Sequence, residues 1–229
     1  MEAIDYWFSD FKFNWKKFLS KRGNFIELFF CIVYFLFVSF LFKKYLVVYE
    51  TIPGIQLYDV LLDFFKPADV SVYIFVLLYT IIFFNYLYLL AYPRMLVCFF
   101  IFYATCLLIR FILLSFINLE PPLLYQEFSD PILSSSTYEG IKITKDLFFS
   151  GHMVTVFCAY FAMPNRLIRI CYLIGSIALA ILLLVQHVHY TIDILGAYVA
   201  VFLIYRVYYE KIYNHSKLSF QYSKEITHY

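Results

Sequence analysis

"MLVCFFIFYATCLLIRFILLSFI", residues 95–117, is a run of 23 residues in which Arg110 is the only charged group. A helix needs about 20 apolar residues to cross a hydrocarbon core about 30 Å thick, so this run reads as a membrane span. The same pattern recurs at Phe25–Phe42, Val70–Tyr92, Leu147–Met163, Leu167–Val188 and Thr191–Tyr208. Together these predict an all-α polytopic membrane protein with six transmembrane helices in one bundle. Composition agrees. The 229-residue chain is 63% hydrophobic and 15% charged, with mean hydropathy +0.76, more apolar surface than a soluble domain of this size can hide.

The first span has no cleavage-site pattern after it and follows a charged leader, so it reads as a span and not a signal peptide. The chain divides into a leader (1–24), a membrane domain (25–208) and a tail (209–229). In the leader, FSDFKFNWKKF sets Phe8, Phe11, Trp15 and Phe18 at helical spacing beside a basic face. That pattern suits an interfacial helix on the inner leaflet, or a disordered basic leader.

Basic residues predict the orientation. With both termini cytoplasmic, inner segments hold Lys12, Lys16, Lys17, Lys21, Arg22, Arg94, Arg166, Arg169, Arg206, Lys211, Lys217 and Lys224. Outer segments hold only Lys43, Lys44, Lys66, Lys142 and Lys145. The bias favours N-in, C-in. A net charge of +2 implies no nucleic-acid partner.

Two stretches carry chemistry. "KDLFFSGHMVTVF", residues 145–157, puts Lys145, Asp146, Ser150 and His152 at the mouth of an apolar run. "QHVHYTIDILGAYVA", residues 186–200, sets His189 and Asp193 four apart, on one face of a helix if the turn there is helical, followed by the small residues Gly196, Ala197 and Ala200. Either set could merely open a helix at the membrane surface, where ionisable groups are solvated cheaply. In the six-span topology, however, Arg110, His152, His187, His189 and Asp193 converge on the outer side from three spans. Phosphoryl transfer suits such a set. Arg110 could grip phosphate bidentately, or tether a neighbouring helix through an acid or carbonyls. N–H groups around Ser150, Gly151 and His152 open a helix, and such an end favours an anion. His189, oriented by Asp193, can attack phosphorus while His152 protonates the leaving oxygen. His187 ranks as an accessory residue. No metal or other cofactor is required. The five cysteines lack metal-ligand spacing.

Ser150-Gly151-His152 and His189-x-x-x-Asp193 together resemble the type 2 phosphatidic acid phosphatase superfamily. KDLFFSGH and QHVHYTID look most like its sphingomyelin synthase-related branch. Asp146 matches that branch's aspartate, whereas Lys145 stands for its usual glycine and Met153 for its threonine. TIPGIQLYDVLLD, residues 51–63, is weakly similar to the branch's first external loop, and Arg110 is placed like an arginine of its third span. The resemblance implies catalysis by His152, His189 and Asp193. It also implies membrane-lipid partners, with a phospho-headgroup passing from a glycerophospholipid donor through a phosphohistidine to ceramide. Water as acceptor would make the same site a phospholipase C or phosphatase. A relative that kept the fold as a silent lipid-binding protein is the third reading.

Departures from the pattern matter. Tyr103 and Phe111 occupy the lysine and proline places of the first phosphatase motif, and Leu182 and Leu183 the places of a Ser-Arg pair. Lacking two cations expected for a doubly charged monoester, the site suits a singly charged phosphodiester. In the long external segment, Glu120, Glu127, Asp130 and Glu139 accompany Tyr125, Phe128 and Tyr138. They could hold a cationic headgroup or form a solvated loop.

Overall fold

The structure, a computed structural model, describes residues 2–128 and 141–209. Among these the chain is helical, with a single isolated parallel bridge between Ile55 and Leu119. The helices are α1 (Glu2–Leu19), α2 (Arg22–Tyr49), α3 (Ser71–Leu90), α4 (Pro93–Leu114), α5 (Gly151–Ala162), α6 (Arg166–Val185) and α7 (Thr191–Ile204). A π-helical turn, Tyr205–Tyr209, continues α7.

Local chemistry sets the ends. Pro93 opens α4, where its missing N–H would have no partner anyway. Pro164 keeps Met163 extended and ends α5. Asn165 then caps α6, its Oδ1 accepting from Leu167 and Ile168 N–H at 2.9 and 3.1 Å.

Four helices, α2, α3, α4 and α6, are long and apolar enough to cross a membrane. Of the six spans expected, four are thus supported by length among the described residues. The other two apolar helices, α5 and α7, have 12 and 14 residues, and they carry the histidine motifs. Hydropathy places the start of α5 at Leu147, but residues 147–150 are non-helical because their backbone groups bond elsewhere in the fold.

α5 is central, packed against α3, α4, α6 and α7, while α2 lies outside against α4. The core follows from this: Phe102, Cys106, Met153, Val154, Val156, Cys158, Leu179, Leu183, Ala197 and Val201 are fully buried. On α2, Phe29, Phe30, Leu36, Phe37 and Phe40 are exposed, as suits a face toward lipid. α3 and α6 approach closely at Gly175, where an added Cβ would lie 2.8 Å from Ile81 Cδ1. The small face of α7 meets a loop. Gly196 lies against the Phe148 ring, where a Cβ would come within 3.0 Å.

The leader is a helix. Asn14 Nδ2 and Trp15 Nε1 donate to the carbonyls of Ala91 and Leu90 at 2.9 and 2.8 Å, docking α1 on the α3–α4 turn. Phe18 packs with Cys31 and Val97. At the opposite end of the bundle, the ends of α2, α4 and α6 meet the starts of α3, α5 and α7, bringing both motifs together.

Candidate active site

The start of α5 is built by its own cap and by hydrogen bonds to α4 and α7. Ser150 caps it, its Oγ accepting from Met153 N–H at 3.5 Å. Ser150 N–H donates to the Asp193 carbonyl at 3.1 Å. One of the backbone donors expected to meet an anion, that of Ser150, is thus used within the protein.

Arg110 lies beneath this turn, 2% exposed. Its Nε donates to the Phe149 carbonyl, and its Nη2 to the Asp146 carbonyl at 3.2 Å and to Asp146 Oδ1 at 2.6 Å. Its guanidinium also stacks on Phe42, 4.9 Å from the ring centroid. A Cβ at Gly151 would sit 2.9 Å from Arg110 Nη1, so only glycine lets the guanidinium reach this backbone. The bonds Arg110 makes are those of a tether: it ties the loop through an acid and carbonyls, three and six residues before His152, with Nη1 nearest Gly151.

α7 begins with a matching set of caps. Asp193 is fully buried, and its Oδ2 accepts from Tyr190 N–H at 2.9 Å. Asp59 accepts from Thr191 N–H at 2.5 Å and from Thr191 Oγ1 at 3.1 Å. The Tyr190 hydroxyl donates to the Glu120 carbonyl at 2.9 Å and accepts from Leu57 N–H at 3.3 Å.

His189, 2% exposed, places Nδ1 3.3 Å from Asp193 Oδ2. With Nδ1–H donating to that carboxylate, Nε2 carries the lone pair; this tautomer is assigned from the partner. The His152 ring stands 5.8 Å from that of His189 at 69°, and the Phe128 ring lies 5.4 Å from that of His152. One imidazole oriented by a carboxylate beside a second imidazole can divide nucleophilic attack and proton transfer between them.

The structure therefore brings His152, His189, Asp193, Ser150 and Gly151 together, with Arg110 and Asp146 bound under the same turn. Lys145 points elsewhere, its Nζ donating to Glu120 Oε1 at 2.7 Å and to the Ile52 carbonyl at 2.9 Å. His187 turns back on its own chain, Nδ1 3.3 Å from the Val185 carbonyl, with a left-handed φ of 53°. Glu120 is engaged by Lys145 and by Gly54 N–H at 2.7 Å. These bonds, that from Lys145 first, hold its carboxyl below the usual glutamate range. Glu127 pairs with Lys142 at 2.7 Å. Asp130, Tyr138, Glu139 and the tail from residue 210 lie outside the described residues.

Sequence reasoning assigned no site role to Asp59 or Gln186, both of which brace the α6–α7 turn. The only sign of Asp59 lay in its position within TIPGIQLYDVLLD.

Comparison with known proteins bears on the same stretch. A family model described as PAP2 superfamily C-terminal matches residues 145–211, which hold both motifs and α5–α7. No curated protein matches the chain. Over this stretch, which is less than half of the chain, the sequence is similar to the PAP2 superfamily, and the histidine pair lies within the similarity.

Proposed function

We propose that this chain is an integral membrane lipid phosphotransferase. It moves a phospho-headgroup from a glycerophospholipid to ceramide or a related acceptor, in the manner of sphingomyelin synthases. The observation that carries the reading is the His152–His189 pair, 5.8 Å apart, with Asp193 on Nδ1 of His189. His189 Nε2 attacks phosphorus and the P–O bond to diacylglycerol breaks, while His152 gives its proton to the departing oxygen. The acceptor hydroxyl then loses its proton to His152 and attacks phosphorus, breaking the P–N bond and freeing His189. Asp193 stabilises the imidazolium throughout. Arg110 holds the turn that carries His152, with its Nη1 nearest Gly151. In the membrane, the basic bias supports cytoplasmic termini and a histidine pair on the exoplasmic, periplasmic or lumenal side.

The test uses purified protein and labelled glycerophospholipids, with and without ceramide. Diacylglycerol release that requires ceramide supports the synthase. Release without ceramide makes water the acceptor and the chain a phospholipase C or phosphatase. No turnover of any lipid would overturn the enzymatic reading in favour of a silent lipid-binding protein.

A further inference from the structure

Gln186 is fully buried, and its amide joins three separate segments of chain. Oε1 accepts from Val70 N–H at 2.5 Å, at the start of α3. Nε2 donates to Asp69 Oδ1 at 3.2 Å and to the Glu127 carbonyl at 3.1 Å. The Gln186 backbone carbonyl accepts from Gln126 N–H at 3.2 Å, and the neighbouring Val185 carbonyl from Ala68 N–H at 3.0 Å. Residues 68–70 and 126–127 thus both rest on residues 185–186, at the end of α6.

The next residue after Glu127 is Phe128. Its ring stands edge-on to His152, 5.4 Å away, and stacks on Phe75 at 4.8 Å and 19°. Phe75 lies in the first turns of α3, the helix whose start Gln186 holds through Val70. Both sides of this aromatic sandwich are therefore referred to one buried amide. An amide with acceptor and donors all engaged fixes position as well as distance, whereas an apolar side chain of equal length would fill the space without choosing a register. The bond to the Asp69 carboxylate is charge-assisted and adds to that definition.

We propose that Gln186 is a positioning residue for the His152–His189 site, holding Phe128 edge-on to His152 and so setting the orientation of the proton-transferring imidazole. The proposal rests on the catalytic roles given above. It concerns a residue beside the histidine motif that makes no bond to either catalytic ring.

A double-mutant cycle tests it on the full-length protein in proteoliposomes, using labelled glycerophospholipid with and without ceramide. Gln186→Met keeps length and volume but removes the amide. It should lower kcat on the order of 10- to 10²-fold with KM near the wild-type value, as for a catalytic group displaced from outside. In a Phe128→Ala background the same change should cost little more, because the clamp then has nothing to hold. Losses that multiply in the double variant, or an unchanged kcat, would overturn the proposal. Gln186→Glu keeps the acceptor for Val70 but sets a carboxylate against Asp69, and it should reproduce the loss even if Gln186→Met folds poorly. A second readout needs no turnover: the NMR ring signal of His152, identified by its absence in His152→Ala. It should move in the same direction in Gln186→Met and in Phe128→Ala, and a signal left in place would refute the clamp. Wild-type protein that turns over no lipid would instead overturn the catalytic roles, while the ring signal still decides what Gln186 positions.

Discussion

The backbone N–H of Ser150 donates to the carbonyl of Asp193 at 3.1 Å, joining the first turns of α5 and α7 directly. α5 brings His152 to this joint and the turn leading into α7 brings His189, so their separation depends on backbone contact and not on side-chain reach alone.

On the proposed roles, His189→Ala removes the nucleophile, and phosphohistidine, read by acid-labile label on the protein, should not form. His152→Ala should slow leaving-group departure on the order of 10²- to 10⁴-fold. Asp193→Asn should keep the fold but slow attack, since it removes the charge beside the imidazolium. Full activity in His189→Ala would refute the mechanism.

Gly151→Ala should destabilise the protein. The new methyl would come 2.9 Å from Arg110 Nη1 and 3.1 Å from Cζ. The guanidinium cannot easily withdraw, because its bonds to Phe149 and Asp146 hold it. Overpacking of this kind costs about 1–3 kcal/mol, visible as a lower Tm in detergent. An unchanged Tm would mean that the arginine moves freely.

Arg110→Leu should also lower stability, because it strands the Asp146 carboxylate and the Phe149 carbonyl. Breaking a fully buried pair costs about 3–5 kcal/mol. The value here should be smaller, because the Asp146 side chain is 32% exposed and water can take up part of its charge. Arg110→Leu combined with Asp146→Leu should recover part of the loss. If Arg110→Leu loses activity at wild-type Tm, the arginine serves phosphate and not the loop.

Acid should loosen the loops around Lys145. Glu120 is held below the usual carboxylate range by its hydrogen bond from Lys145 and then by that from Gly54 N–H. The folded chain therefore ionises Glu120 more readily than the unfolded chain does. The stability this adds is present above the ordinary glutamate value of about 4.3 and is lost as pH falls below it through the folded value. Limited proteolysis of the loops should accelerate over that acid window. Glu120→Gln should be more susceptible at neutral pH and less dependent on acid.

Sidedness can be read with single cysteines in a Cys171→Ser background, since Cys31, Cys98, Cys106 and Cys158 are buried. Tyr58→Cys, at an exposed position on the histidine end, should react with an impermeant reagent in intact cells or spheroplasts. Ser20→Cys, at the other end, should be protected. The reverse pattern would invert the proposed orientation.

Much of this arrangement was legible in the residues themselves. Apolar runs such as 95–117 announce membrane helices. His189 and Asp193 do meet, but not as a pair on one helical face: His189 lies in the non-helical turn before α7. The start of α5 was not legible, because hydropathy cannot tell that the backbone of 147–150 bonds to Arg110 and Asp193. The same holds for Lys145. Its place beside the motif suggested the site, but its partner is Glu120. Gln186 and Asp59 escaped notice for a related reason. Each joins segments more than a hundred residues apart, and a single amide or carboxylate leaves no periodic trace.

The shortness of α5 bears on how far a lipid must travel. Twelve residues make a helix about 18 Å long, against a hydrocarbon core of about 30 Å. The irregular backbone of 147–150 makes up the remaining distance, and it is tolerated there because Leu147, Phe149 and Ser150 are buried in protein. α6, with twenty residues, covers about 30 Å and delivers His189 just past its end, 5.8 Å from His152. On the proposed orientation the two imidazoles then stand near the level of the headgroups, and a lipid would react without leaving its leaflet.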